Sequence, residues 1–468
     1  MPIGAGGLET LLNSLTVLYH RFLLRAVTPE YGLRWLNRLF ALDPSGSSAA
    51  REVVAGLTTF TTMSYIVVVN PAVLANAGIP EGPSFVATVL VAAVGCYLMA
   101  FYANRPFAIA PYMGENAFIA FTVCTVLGIP WPTALAAVFL AGIIFVLLTV
   151  LHLRRWIVEG VPISLRYSFA VGMGLFLTFI GLNETGLVTL GVRGAPVQPG
   201  HLSSPSALVA MFGFVLIAVL TIRKVPGAIL LGMLITAGVA YVFKVSPGPK
   251  HWVSSPPSLG PILWHLDLRG ALSWQAFPVV LTIFVMAFVD TMGTLIGLSA
   301  RAGFLDEHGH LPQIERPMLV DAVCTCLAPA LGTTTAGAFV ESATGIEAGG
   351  RTGLTAFVVA SCFLLTLFFA PLVAAIPAVA YGPALIIVGL FMLAPIVHID
   401  FSDYTESVPA FAVVTLMAFT FNIAIGICAG FVLYPFCKIV AGKAAQLRPG
   451  IWVLTALSLL FFTFYPYR

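Results

Sequence analysis

The sequence predicts an all-α polytopic membrane protein of about 14 transmembrane helices, built as two inverted seven-helix repeats. Three observations carry this expectation. Of the 468 residues, 59% are hydrophobic, and the mean hydropathy is +1.00. Only 9% are charged, against roughly 25% in a typical soluble domain. Apolar runs long enough to cross a bilayer recur along the chain, and the pattern of the first half returns in the second. A water-facing surface alone would need more charge than the whole chain carries, which excludes a soluble enzyme. Disorder, coiled coil and collagen fail on the same composition. A net charge of +3 is too slight to suggest a nucleic-acid partner, so the expected surrounding is a lipid bilayer.

A helix needs about 20 apolar residues to cross the hydrocarbon core. Residues 1–50 are amphipathic with scattered Arg, and no small-residue cleavage site follows an apolar run, so no signal peptide is expected. Spans then follow near 52–74, 84–103, 107–126, 131–152, 162–182, 206–222 and 226–244. A polar loop rich in Pro and Ser (Ser254 to Pro261) separates the halves. The second set lies near 277–299, 317–334, 337–350, 352–375, 380–397, 408–423 and 425–441. The stretch 451–465 is left over, as a short interfacial or terminal helix. With the N-terminus inside, 17 of the 22 Lys and Arg fall in inside segments and 4 in outside segments, with Arg468 unassigned. The positive-inside rule therefore places the N-terminus in the cytoplasm. The inside loop 398–407 is the exception, carrying Asp400, Asp403 and Glu406 and no basic residue.

Leu57-Thr58-Thr59-Phe60 opens the first half, and Leu281-Thr282-Ile283-Phe284 opens the second, 224 residues later. Glu115 and Glu341 are separated by 226, so the offset nearly holds. Seven spans is an odd number, so the second half enters the membrane from the opposite side, as in many secondary transporters. Spans three and ten are both interrupted by Gly, Pro or a carboxylate. Half-helices at matching positions of two repeats point to a binding site at the membrane midplane, where their N-termini offer free N–H groups.

Charge at membrane depth is costly and usually functional. Asp290 lies in the middle of span eight, and Glu341 at the break of span ten. Glu115 and Asn116 occupy the matching break of span three. Asp321, Glu184 and Glu347 are expected at helix ends facing water. No histidine is expected mid-span, so any proton is carried by carboxylates. Burial disfavours the charged form of such a group, which lets it load and release a proton. A carboxylate also accepts N–H donors of a flat heterocycle, on which Phe339, Phe118 or Tyr112 could stack. The seven cysteines lie in apolar stretches and read as buried reduced thiols. No Walker, redox or zinc motif is present, so neither cofactor nor metal is expected.

The runs Gly56-Leu57-Thr58-Thr59-Phe60 through Asn70-Pro71, Phe288-Val289-Asp290-Thr291-Met292-Gly293-Thr294, and Glu341-Ser342-Ala343-Thr344-Gly345-Ile346-Glu347-Ala348-Gly349-Gly350-Arg351-Thr352-Gly353 resemble the adenine/guanine/hypoxanthine permeases. These form the AzgA-like branch of the xanthine/uracil permease superfamily. The similarity runs from about residue 36 to the end. It implies a proton-coupled importer of purine nucleobases at the cell inner (plasma) membrane, moving like an elevator, often as a homodimer. It implies a core domain of spans one to four and eight to eleven, and a gate domain of spans five to seven and twelve to fourteen. In residues, the core comprises 51–152 and 275–376, and the gate 153–250 and 377–468, with 1–50 an N-terminal segment and 251–274 an extracytoplasmic loop. Carried over to this sequence, Asp290 and Glu341 hold the base and couple the proton, and Asn116 faces it. Thr294 stands where uracil-type relatives have a histidine. Phe339, Val340, Ser342 and Glu115 complete the expected substrate site. The span-three motif departs from the family pattern Gly-Met-Gly-Leu-Asn, reading Tyr112-Met113-Gly114-Glu115-Asn116. The rival expectation is an anion carrier of the same fold, for sulfate or bicarbonate, which the two acidic groups disfavour.

Overall fold

A computed structural model describes residues 34–151, 161–192, 195–249, 251–274, 276–306 and 311–464. Residues 1–33 of the expected N-terminal segment lie outside these. Among the described residues, each of the fourteen expected segments forms an element, and nine helices are long and apolar enough to cross a bilayer by themselves. Spans seven (Ala228–Val242) and thirteen (Tyr404–Phe419) are shorter. Span nine (Glu315–Leu331) is also short and carries Arg316 and Asp321. Span one bends where Ala49–Met63 gives way to Ile66–Ala75 at Ser64-Tyr65. The stretch left unassigned in the sequence is the helix Pro449–Phe464, packed on span fourteen (Ile423–Val440). A hairpin, Val188–Val192 with Ala195–Pro199, was not anticipated between spans five and six.

Spans three and ten each begin as a short strand and continue as a helix. Strand β1 (Ile109–Pro111) leads to Met113–Val126, and β2 (Ala336–Ala338) leads to Ser342–Glu347. The two strands pair antiparallel, with Ala110 opposite Gly337. The pairing extends symmetrically: Tyr112 N–H donates to Thr335 O at 3.1 Å, and Phe339 N–H donates to Ala108 O at 2.9 Å. Shifting every residue by 227, the separation of Ala110 and Gly337, converts one bond into the other. A local two-fold axis between these strands does the same, as an inverted repeat requires. The pairing also satisfies backbone groups that lipid could not.

One position breaks the symmetry. Pro111 has no N–H, whereas its counterpart Ala338 has one. Asp321 of span nine supplies the acceptor, with Ala338 N–H donating at 2.6 Å. Gly337 admits this crossing, because a Cβ there would lie 2.3 Å from both Asp321 Oδ1 and the Tyr112 hydroxyl. At the end of the bundle that holds Arg51 and Arg301, Glu52 is buried. It accepts from the amides of Arg351 (2.9 Å) and Thr352 (3.2 Å) and from the Thr355 hydroxyl (2.5 Å). It thereby ties the start of span one to the start of span eleven (Gly353–Ala374).

Candidate functional site

The site follows from the crossing. Span eight (Phe277–Ala302) packs against β2, the span-ten half-helix and the span-three half-helix. Asp290 sits midway along it and is half-buried, and Thr294, one turn on, is half-buried too. Glu341 caps the span-ten half-helix, and its Oε1 accepts a hydrogen bond from the Tyr65 hydroxyl at 2.8 Å. Tyr65 lies at the bend of span one and is buried. The break in span one thus aims a hydroxyl at the break in span ten. Close approach is enforced at Gly345, where a Cβ would lie 2.0 Å from Thr59 Oγ1 and 2.6 Å from Ala55 O.

The expected residues separate into distinct roles. Glu115 is fully buried and interacts electrostatically with Asp290 and Asp321, not with Glu341. Asn116 is buried and donates to Asn70 Oδ1; Asn70 in turn donates to Thr88 Oγ1 (2.7 Å) and Thr333 Oγ1 (3.0 Å). The Ser342 hydroxyl accepts from Ala108 N–H at 2.9 Å, so it locks the crossing. Phe339, Phe118 and Tyr112 are buried, while Val340 is 61% exposed beside Glu341. The structure therefore draws two groupings: Glu115–Asp290–Asp321 on one hand, and Glu341–Tyr65 on the other.

Asp321 corrects an expectation. It does not face water at a helix end. It is fully buried, and it accepts from Thr291 Oγ1 and Ala338 N–H, with the Tyr112 hydroxyl at 3.5 Å. The sequence signal was a carboxylate inside the expected span 317–334. Glu347 does face water, paired with Arg301 at 2.7 Å. Glu184 lies at its helix end and accepts from the Tyr381 hydroxyl at 3.0 Å. Tyr65, Asn70, Thr291 and Asp321 were missed as site residues; each is a polar residue inside an apolar run. Among the described residues no group of His, Cys, Asp or Glu is arranged to hold a metal ion. A cavity of about 430 Å³ is lined by Val68, Phe85, Pro257, Ala370 and Tyr381, and not by Asp290, Glu115, Asp321 or Glu341.

Two halves inserted in opposite senses, meeting at paired broken spans that carry carboxylates, define a secondary transporter of the membrane. The chain is a multi-pass membrane transporter and not an enzyme. Residues 50–429 match the family described as "Permease family", the xanthine/uracil permeases, and the chain belongs to it. It is 41% identical to a permease of Methanocaldococcus jannaschii over 92% of this chain and 99% of that one. It is 38% identical to the adenine permease AdeP of Escherichia coli, over 92% of this chain and 97% of that one. It is also 38% identical to the guanine/hypoxanthine permease PbuO of Bacillus subtilis, over 90% and 98%. Among solved structures, the fold is similar to the transmembrane domain of the cyanobacterial bicarbonate transporter BicA. That match has a TM-score of 0.60 at 15% identity, covering 81% of this chain and 96% of that one.

Proposed function

We propose that this permease imports purine nucleobases into the cell by proton symport across the inner (plasma) membrane, with its N-terminus in the cytoplasm. The observation that carries this reading is the pair of carboxylates, Asp290 and Glu341, at the crossing of the two half-spans. A purine presents ring N–H groups and flat faces. Glu341 keeps one oxygen for the Tyr65 hydroxyl and offers the other to a ring N–H. Asp290 supplies a second acceptor or, when protonated, a donor to a ring nitrogen. The names of the relatives, adenine permease and guanine/hypoxanthine permease, support the substrate class.

The core and gate division is part of the same proposal. Spans one and two pack on eleven, and span four packs on eight and nine. Span five packs on twelve and thirteen, and span six on seven and twelve. Packing within these two groups supports a core that slides as a body against a gate, carrying the base with it. The likeness to BicA favours a second reading, an anion carrier. The acidity of the site opposes it, because the carboxylates of Asp290 and Glu341 would repel an anion.

The test is uptake of radiolabelled hypoxanthine, guanine, adenine, xanthine and uracil into proteoliposomes with an imposed pH gradient. A purine accumulates only with the gradient, and Asp290→Asn and Glu341→Gln each abolish accumulation. Accumulation of bicarbonate or sulfate with no base uptake would overturn the reading in favour of the anion carrier.

A further inference from the structure

Three carboxyl groups, Glu115, Asp290 and Asp321, come together where spans three, eight and nine meet. Asp321 is fully buried, but donors surround it: Thr291 Oγ1, Ala338 N–H and the Tyr112 hydroxyl. Asp290 is half-buried. Glu115 is different from both. It is fully buried, and neither of its carboxyl oxygens has a hydrogen-bond partner beyond the amide of its own residue. The groups acting on it are Asp290 from span eight and Asp321 from span nine, both acidic. Tyr112 on its own span is the remaining titratable neighbour. An ionised carboxylate in that position would be desolvated, undonated and repelled from two sides.

From this geometry we infer that Glu115 is a proton-holding group of the transport cycle and not a ligand of the transported base. The charged groups that act on its carboxyl are Asp290 and Asp321, while Glu341, the base-anchoring candidate, is hydrogen-bonded by Tyr65. Of the three acids only Asp290 is partly open, so the proton reaches Glu115 through it. In that step the O–H bond on Asp290 breaks, an O–H bond forms on Glu115, and the negative charge moves to Asp290. Asp290 then faces the base as a carboxylate, able to accept a ring N–H. The inference rests on proton-coupled transport as proposed above, and its test separates the two.

Infrared titration of the purified protein reads the carboxyl proton directly. The wild type shows a buried protonated-carboxyl C=O stretch at neutral pH that is absent in Glu115→Gln and present in Glu341→Gln. Glu115→Leu, which replaces the carboxyl with an apolar side chain, controls for packing. Alongside, proteoliposomes loaded with a pH-sensitive dye report protons moved per base. Glu115→Gln loses the wild-type pH dependence of uptake. If the C=O band persists unchanged in both Glu115 variants, the inference is overturned whatever the transport assay shows. The same holds if Glu115→Gln keeps the wild-type pH profile. A wild type that has the band and moves a base without protons overturns the symport reading and with it Glu115's part in the cycle, leaving only a buried protonated carboxyl.

Discussion

At the scale of single residues, function turns on which buried polar groups are paired and which are not. Tyr65 and Glu341 are 276 positions apart in the chain, yet they form a 2.8 Å bond at the meeting point of two broken spans. A hydrogen bond to a charged acceptor is worth about 1.5–3 kcal/mol. Tyr65→Phe removes the donor and leaves the ring, so the half-span geometry survives. The expected outcome is a rise in KM for the base of roughly tenfold, 1.4 kcal/mol being a factor of ten, with little change in the amount of folded protein. Uptake kinetics in proteoliposomes check this; an unchanged KM would show that Glu341 does not need Tyr65 to stay in place. Asp290, Glu341 and Asn116 were legible in the sequence as candidate site residues, because a carboxylate or amide inside an apolar run stands out. Tyr65 and Asp321 were not. A tyrosine fits any membrane helix, and an acid near the start of a span reads as an end residue until the neighbouring strand shows the amide it receives.

At the scale of elements, the acidic loop 398–407 explains itself only in three dimensions. By charge it violates the positive-inside pattern. In the fold, Lys438 of span fourteen is buried and lies 2.6 Å from Glu406 Oε1, and Lys443 lies 2.8 Å from Asp403 Oδ2. Tyr434 donates to Glu406 at 3.0 Å, and Ser164 of span five donates to its other oxygen. The loop is therefore not a free negative patch; it clamps the ends of spans five, thirteen and fourteen. The Lys443 ammonium, with the Thr405 hydroxyl and amide, holds the Asp403 carboxyl well below its ordinary range. A group lowered in the fold contributes stability above its unfolded value and loses it as pH falls through the folded one. Asp403→Asn accordingly lowers the melting temperature in detergent at neutral pH. The difference from wild type closes as the medium is made strongly acidic. A gap that is constant across pH would mean the carboxyl's charge is not what stabilises the clamp.

At the scale of the whole molecule, the question is whether two groups of spans move past one another. Gly114 of the span-three half-helix approaches Met173 of span five, with a Cβ placed on Gly114 lying 3.9 Å from Met173 Cβ. Disulfides form at Cβ separations of about 3.5–4.5 Å. In a background freed of the seven native cysteines, Gly114→Cys with Met173→Cys bridges the proposed core to the proposed gate. Oxidation arrests uptake and reduction restores it. Full activity of the oxidised double variant, with the crosslink verified by mass spectrometry, would show that these spans keep one relation throughout the cycle.

The sequence by itself determined the membrane class, the fourteen segments, the oddness of spans three and ten, and the doubling of the pattern. These rest on local quantities: hydropathy along a window, loop charge, and Gly, Pro and carboxylates where a helix should be plain. Tertiary structure decided what the breaks contain. Only pairing across more than two hundred residues shows that β1 and β2 satisfy each other's backbone, and that Pro111 in one strand leaves Ala338 in the other to find Asp321. The same crossing encloses Glu115 among acids while Glu341 goes to Tyr65. Burial and the identity of a partner are properties of the packed whole, and in a membrane they decide which charged group carries a proton and which one holds a substrate.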